Sequence, residues 1–260
     1  MEDVLNKIIE HKRAELLTTD FGEIEAQAHA TERKVISMSK SLREHRGGII
    51  AEFKRRSPSK GWINQNGSPA DIVPAYYEAG AAACSVLTNE EFFGGSLEDL
   101  ITARAAAPRL PILRKEFIID ERQIFQARVA GADAVLLIAA CLSVQECLSL
   151  AKTAHDVGLE VLLEIHSKEE LSHLNEYVDM LGVNNRNLGS FVTDINNSFA
   201  LADEMRKRGG DIVLVSESGL DGSDTIKRLQ EAGFDGFLIG ESFMKHGEPA
   251  ARLQELISEL

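Results

Sequence analysis

The sequence predicts an α/β fold in which eight parallel strands alternate with helices and close into a (β/α)8 barrel of the TIM-barrel type. From residue 48 onward, a short apolar, β-branched run is followed by a turn and an amphipathic stretch, and this unit recurs eight times. Nearly continuous apolar strands that alternate with helices are typical of a parallel sheet covered on both faces. Eight such units with no long segment left over favour a closed barrel.

The predicted strands are the apolar runs of this repeat: 48–54, 82–88, 110–115, 133–139, 160–165, 179–185, 211–217 and 236–240. The segments between them carry apolar residues three and four apart, and several end in glycine, as helices with glycine caps do. An open, doubly wound sheet is the alternative fold, and it usually carries a glycine-rich phosphate fingerprint after its first strand. The sequence there reads KRRSPSKG, which lacks that fingerprint.

We expect the whole chain to form one domain, residues 1–260, with a helical extension over 1–46 and the barrel over 47–260. Closed α/β barrels commonly reach about 250 residues as a single domain. In the extension, apolar residues lie at helical spacing in the pairs Val4 and Ile8, and Leu5 and Ile9. This predicts an amphipathic helix that packs on the barrel, and the pattern does not decide whether that helix also touches a substrate.

Composition and charge exclude several classes of partner. The net charge of −13 argues against nucleic acid or an anionic membrane surface. No apolar stretch approaches the roughly 20 residues that span a bilayer, and the charged N-terminus lacks a signal-peptide core, so we expect a cytoplasmic protein. The three cysteines have no CxxC spacing and the seven histidines no ligand spacing, so we expect free, buried thiols and no metal.

Polar side chains collect at the carboxyl ends of the predicted strands, where barrels of this type place the active site. These side chains belong to Glu52, Lys54, Lys115, Glu164, Asn184, Arg186, Glu217 and Ser218. Charge at a frayed strand end would explain any one of them. It does not explain two lysines and an arginine beside carboxylates at one mouth of an acidic protein. Opposite charges paired in a cleft are typical of sites that transfer protons.

Strand periodicity predicts which of these charges point into the barrel. Ile50, Glu52 and Lys54 share one face of the first strand, and the opposite, apolar face should meet the helices. Leu162 and Glu164 share a face of the fifth strand in the same way. We therefore expect these charged groups at the barrel mouth, where a lysine of lowered pKa serves as an acid and a partly desolvated glutamate as a base.

Glycines after the last two strands predict a phosphate site. Gly219 in SESGL and Gly240 in LIGESF lie where a loop turns into a helix, and the loops after strands 7 and 8 usually hold phosphate in such barrels. Ser57, next to the end of strand 1, can donate a further hydrogen bond. Three residues near the same mouth could form an apolar wall: Phe93, Phe117 and Leu188. Ordinary turn glycines and core packing are the alternative interpretation.

Six motifs, in chain order, resemble the motif set of the indole-3-glycerol-phosphate synthase family: IIAEFKRRSPSKG, LRKEFIID, VLLEIH, GVNNRNL, VSESGL and FLIGESFM. The similarity covers the whole chain, including the extension. The resemblance implies a carboxy-lyase of tryptophan biosynthesis that uses no cofactor, in its single-function form. The implied reaction closes a ring in 1-(2-carboxyphenylamino)-1-deoxyribulose 5-phosphate, with decarboxylation and dehydration, to give indole-3-glycerol phosphate.

The resemblance also implies residue roles. Lys115 would be the general acid that protonates the ketone, and Lys54, held by Glu52, would pair with the substrate carboxylate. Glu164 would take up or relay the proton lost at dehydration, although the division of steps among these groups stays open. The other implied contacts are Asn184, Arg186, Glu217 and Ser218 to the carboxylate and sugar, and Ser57, Gly219, Gly240, Glu241 and Ser242 to the phosphate. The Glu241 side chain would have to point away from that phosphate.

Three other functions stay open at this point. A phosphosugar isomerase typically has Cys or Asp at the end of the first strand, where this chain has Glu52 and Lys54. A Schiff-base aldolase would use Lys115 or Lys54 as nucleophile. A phosphate-binding scaffold would need no inward lysines and glutamates. We expect the partner to be a small anionic substrate and the protein to be a monomer.

Overall fold

The computed structural model describes residues 4–187 and 192–260, and within them eight parallel strands close into a barrel. The strands are β1 Ile49–Phe53, β2 Ala83–Leu87, β3 Ile112–Lys115, β4 Ala134–Ile138, β5 Glu160–Ile165, β6 Met180–Asn184, β7 Val213–Glu217 and β8 Gly236–Ile239. Each pairs with its neighbours in sequence, and β8 closes the barrel on β1. The predicted fold class is confirmed, and every predicted strand contains the observed one.

Helices cover the outside of the barrel. They are α1 Val4–Thr18, α2 Ile24–Ala30, α3 Met38–Glu44, α4 Pro69–Glu78, α5 Glu90–Phe93, α6 Leu97–Ala106, α7 Glu121–Ala130, α8 Val144–Asp156, α9 Asn196–Gly209, α10 Ser223–Glu231, α11 Glu241–Met244 and α12 Pro249–Glu259. A two-stranded hairpin, Arg56–Ser57 with Gly61–Trp62, lies in the loop after β1. Between β5 and β6 the chain forms only the 3-10 helix Glu169–His173, because residues 166–179 leave little room for an α-helix.

The register of the strands stacks inward side chains in layers drawn from alternate strands. Around the barrel, Ile50, Leu113, Leu162 and Val215 form one such layer, and all four are buried. Two residues further along the same four strands comes the layer of Glu52, Lys115, Glu164 and Glu217. The barrel interior is thus apolar up to the carboxyl ends of the strands. There one layer of side chains is charged, as the parity of β1 and β5 predicts.

Two of the three cysteines are buried, as predicted, and all three are free. Cys141 is only half-buried because it ends the short 3-10 turn Ala139–Cys141 that leaves the barrel after β4. None of the described helices combines the length and the apolar composition needed to cross a membrane.

The N-terminal extension runs from one end of the barrel to the other. At the amino ends of the strands, the Glu160 carboxylate accepts hydrogen bonds from the backbone and side chain of Ser39, and the buried Asp133 carboxylate pairs with Arg33 at 2.7 Å. At the carboxyl ends, α1 buries its apolar face against the barrel. The extension is therefore fixed to the barrel at both ends by buried or half-buried carboxylates.

A buried ion pair holds α1 in place. Lys12 Nζ lies 3.1 Å from Glu116 Oε2, and both side chains are almost fully buried. Glu116 follows Lys115 directly, and its carboxylate also accepts hydrogen bonds from Thr88, Asn89 and its neighbour's backbone. The helix outside the repeat is thus tied to the residue next to the inward lysine of β3.

We expect Lys12→Met to lower the free energy of unfolding by about 3 kcal/mol, because it leaves the Glu116 carboxylate buried without its cation. Urea denaturation measures the loss. Lys40→Met is the matched control, since Lys40 pairs with Glu44 on an exposed helix face and such pairs contribute less than about 1 kcal/mol. Equal effects of the two substitutions would contradict a stabilising role for the buried pair.

Candidate active site

A cavity of about 550 Å³ opens at the carboxyl ends of the strands. The structure brings fifteen of the sixteen predicted site residues to its lining: Glu52, Lys54, Ser57, Phe93, Lys115, Phe117, Glu164, Asn184, Arg186, Glu217, Ser218, Gly219, Gly240, Glu241 and Ser242. Leu188 lies outside the described residues. The positions predicted from strand ends and loop motifs therefore converge in space, whatever role each side chain has.

Lys115 is held between two carboxylates from other strands. Its Nζ lies 2.5 Å from Glu217 Oε2 on β7 and 3.2 Å from Glu164 Oε2 on β5. Both glutamates are nearly fully buried, whereas the lysine keeps a small exposed fraction toward the cavity. This arrangement fixes the ammonium in the charged layer while leaving it within reach of a bound molecule.

Glu52 and Lys54 form a second ion pair on β1, with 2.5 Å between Glu52 Oε1 and Lys54 Nζ. A side chain at Gly240 would clash with the Glu52 carboxylate, and a Cβ atom at Gly182 would lie 2.7 Å from Glu217 Oε1. Two glycines thus make room for two of the inward carboxylates. For Gly240 this is a packing reason that the loop motif alone does not reveal.

The lysine of the charged layer has a raised pKa, contrary to the expectation of a lowered one. Burial lowers the pKa of Lys115, but the carboxylates of Glu217, Glu164 and Glu52 raise it further than burial lowers it. The barrel surrounds the ammonium with three carboxylates, which favour its protonated form.

The two carboxylates that hold Lys115 differ in their ionisation. Burial raises the pKa of Glu217 to about 7; the attraction of Lys115 opposes this and the repulsion of Glu164 adds to it. Burial also acts to raise the pKa of Glu164, but Lys115, His166 and a hydrogen bond from Asn184 bring it below its ordinary value. Burial thus favours the protonated form of Glu217, whereas Glu164 is held in its ionised form beside the same ammonium.

Asn184 links the charged layer to the loop after β7. Its side-chain oxygen accepts hydrogen bonds from Ser218 Oγ at 2.9 Å and from the Arg186 backbone at 3.0 Å. Among the described non-glycine residues, Ser218 alone has a positive φ, +68°. Strained backbone of this kind costs about 1 kcal/mol or more and clusters at functional sites. Here it forms the turn before Gly219.

At the other end of the cavity, cations gather around Glu241. The carboxylate of Glu241 lies 3.5 Å from Arg186 Nη2 and 4.0 Å from Lys60 Nζ, so it faces these two cations on the rim. Arg186 also donates a hydrogen bond to Ser59 Oγ at 2.8 Å. The Ser57 hydroxyl is buried at this end and has no hydrogen-bond partner among the described residues. A donor without an acceptor here suits an anion.

An apolar wall closes one side of the cavity. The ring centroids of Phe93 and Phe117 lie 6.1 Å apart, and five further residues complete the wall: Val4, Leu5, Ile8, Leu136 and Ile138. Sequence reasoning missed Leu136 and Ile138, which follow from the parity of β4. It left the position of α1 open, and the structure places three α1 side chains in the lining.

Sequence reasoning also missed polar residues in and beside the cavity, among them Lys60 and His166. Lys60 lines the cavity from the hairpin loop after β1. Its position in the segment KRRSPSKG does not indicate that its side chain faces the cavity. His166 lies two residues beyond Glu164 in VLLEIH, and its Nε2 is 3.4 Å from Glu164 Oε1. Its parity with Glu164 was the available signal.

We expect Glu217 to titrate near pH 7, which carbon NMR of labelled glutamate side chains can measure, with Glu217→Gln to assign the resonance. Because the folded-state pKa exceeds the unfolded one, folding binds a proton between about pH 4.5 and 7, so the contribution of this group to the free energy of unfolding falls as pH rises through 7. A Glu217 resonance that finishes titrating below pH 5 would contradict this.

Comparisons with known proteins identify a family, similar sequences and a similar fold. The profile of the family described as indole-3-glycerol phosphate synthase matches residues 5–256. A protein of that name from Bacteroides thetaiotaomicron is 52% identical over 269 aligned residues and covers 100% of both chains; another from Polaromonas naphthalenivorans is 39% identical, again over 100% of both. A solved 3-hexulose-6-phosphate synthase aligns with a TM-score of 0.62 at 15% identity, covering 82% of this chain and 99% of that one, and this likeness concerns the fold alone.

Proposed function

This chain belongs to the indole-3-glycerol phosphate synthase family, and from that premise we propose how its cavity performs the reaction. Proteins of this family are carboxy-lyases of tryptophan biosynthesis that act on a small phosphorylated substrate. The substrate, 1-(2-carboxyphenylamino)-1-deoxyribulose 5-phosphate, loses CO2 and water as it closes the indole ring. The observation that carries the proposal is the position of Lys115, held between Glu164 and Glu217 beside an apolar wall.

The cavity offers a matching group for each part of the substrate. The carboxyphenyl ring packs between Phe93, Phe117 and α1, and its carboxylate pairs with Lys54. The phosphate binds at the opposite end, where Ser57 has a buried hydroxyl without a partner. The phosphate also meets the backbone amides of Gly219, Gly240, Glu241 and Ser242, with Arg186 and Lys60 nearby. The sugar hydroxyls then lie near Asn184 and Ser218.

Ring closure begins when the aromatic carbon that bears the carboxylate attacks the ketone carbon. Negative charge then develops on the ketone oxygen, and Lys115 donates a proton to it. Because its pKa is raised, Lys115 stays protonated until negative charge develops on the ketone oxygen. Loss of CO2 restores the aromatic ring. The former ketone carbon, now bonded to the ring, carries a hydroxyl.

Dehydration completes the indole. Lys54 supplies the proton with which the hydroxyl leaves as water, and Glu164 accepts the proton lost from the carbon next to nitrogen. Glu52 and Glu217 orient the two lysines through the short ion pairs at 2.5 Å. General acid–base groups of this kind each contribute a factor of about 10² to 10⁴ in rate.

A Schiff-base role for Lys115 is disfavoured. A nucleophilic lysine has to be neutral, whereas the carboxylates around Lys115 outweigh the effect of burial and raise its pKa. Borohydride reduction in the presence of substrate should leave the mass of the protein unchanged. A covalent adduct on Lys115 or Lys54 would support an aldolase-type reaction in place of the proposed one.

We expect Lys115→Ala to lower kcat at least about 10³-fold and to leave the affinity for indole-3-glycerol phosphate nearly unchanged. Turnover is followed by indole fluorescence after addition of the carboxyphenylamino-deoxyribulose phosphate. Lys152→Ala, which removes a lysine paired with Asp156 on the surface, is the control. Loss of product binding together with turnover would indicate that the substitution disrupts the site rather than the acid.

We expect Glu241→Gln to lower the inhibition constant of inorganic phosphate about threefold. The substitution removes a carboxylate that shares Arg186 and Lys60 with the incoming anion, and half-exposed charges of this kind interact by less than about 1 kcal/mol. Glu231→Gln, on an exposed position of α10, controls for net charge. Weaker inhibition in the Glu241 variant would mean that this carboxylate positions the cations for phosphate.

We propose that the protein acts as a monomer in the cytoplasm, since one chain supplies every group assigned above. Nucleic acid has no part in this function, in keeping with the net charge of −13.

A further inference from the structure

We propose that His166 relays protons between the buried carboxylate of Glu164 and solvent, by way of Glu170. The inference rests on the proposed function, because it explains how the acid–base groups of that reaction are recharged. His166 does not line the cavity, so it acts through Glu164 as a positioning and relay residue.

His166 lies between two carboxylates, one on each side of its ring. Its Nε2 is 3.4 Å from Glu164 Oε1, and its Nδ1 is 3.6 Å from Glu170 Oε2. Exposure rises along this path: the Glu164 side chain is 2% exposed, that of His166 14% and that of Glu170 21%. The three groups thus form a line that leads from the charged layer toward solvent.

The backbone around His166 fixes the ring in this position. The His166 amide donates a hydrogen bond to Glu170 Oε2 at 2.6 Å, and Asn197 donates one to the His166 carbonyl at 3.1 Å. Neither ring nitrogen makes a hydrogen bond of ordinary geometry to any described residue, although both are buried. Histidines with a purely structural role normally have one nitrogen fixed by such a bond. An imidazole without a fixed tautomer can accept a proton on one side and release it on the other.

The charged groups around the ring favour proton uptake. Glu164 on β5 and Glu170 in the 3-10 helix face it directly, Glu217 on β7 adds a further negative charge, and Lys115 lies beyond Glu164. His173 also lies near Glu170, and its ring hydrogen-bonds backbone carbonyls. Burial lowers the pKa of His166, but Glu170 and Glu164 raise it above its usual value near 6.5. These carboxylates therefore favour the protonated form of the ring.

The chemistry of the reaction consumes protons inside the site. A substrate carboxylate leaves as neutral CO2, so each turnover takes up one proton from solvent. In detail, Lys115 gives one proton to the ketone oxygen, Lys54 gives one to the departing hydroxyl, and Glu164 takes one from carbon. The relay reloads Lys115 through Glu164, which lies 3.2 Å from its Nζ, and later carries the proton from carbon back to solvent. Lys54, which is partly exposed, takes up its proton when the product leaves. Substrate in the cavity stands between these groups and the open mouth. A route through the side of the barrel delivers the missing proton without displacing the substrate.

The test compares His166→Gln with His166→Arg by indole fluorescence at saturating substrate between pH 6 and 8. The Gln side chain cannot relay a proton, and Arg keeps a positive charge but does not release its proton in this range. We expect both variants to lose about tenfold in kcat with KM within twofold of wild type. We also expect His166→Ala to be similarly slow and to recover rate when imidazole is added.

Three results would overturn the relay. A wild-type rate in His166→Gln would show that no relay is needed, and a wild-type rate in His166→Arg would show that only the charge matters. A folded His166→Ala, verified by urea denaturation, that imidazole does not accelerate would exclude proton transfer at this position. If the wild-type protein itself forms no indole product, the proposed function fails instead, so the two failures are distinguishable.

Discussion

The placement of Lys115 between Glu164 and Glu217 is the constraint on which the rest of the site depends. Three carboxylates and one ammonium occupy a single layer of the barrel, contributed by β1, β3, β5 and β7. Buried carboxylates are costly unless cations and hydrogen bonds compensate them. The layer therefore holds together only as a set, and a change in one member alters the protonation of the others.

The surrounding structure makes room for this layer and closes it. Gly182 and Gly240 leave space that Glu217 and Glu52 occupy, while the apolar layer beneath, with Leu113 and Leu162, excludes water from below. The extension closes one side from above. Lys12 of α1 pairs with Glu116, the residue after Lys115. The α1 wall of the cavity is therefore held at a fixed position relative to Lys115.

The two ends of the cavity are lined by different kinds of side chain. Aromatic and aliphatic side chains from α1, β4 and the loops line one end, and amides, Ser57 and rim cations gather at the other, with the charged layer between them. This division matches a substrate that carries a ring at one end, a phosphate at the other and the reacting carbons in the middle. The Glu241 carboxylate pairs with Arg186 and Lys60 at the cavity rim and so competes with an incoming anion for these cations.

The sequence by itself determined the strands, their parity and the loop motifs, because a parallel strand buried on both faces is apolar throughout and a charge within it is conspicuous. From β1 alone, the inward direction of Glu52 and Lys54 was predictable. The tertiary structure decided which charges meet: Lys115 is shared by carboxylates 49 and 102 residues away, and Lys12 finds Glu116 across 104 residues. Burial inside the closed barrel raises the pKa of Glu217, and the distant carboxylates raise that of Lys115. Both effects depend on distances that local patterns do not contain.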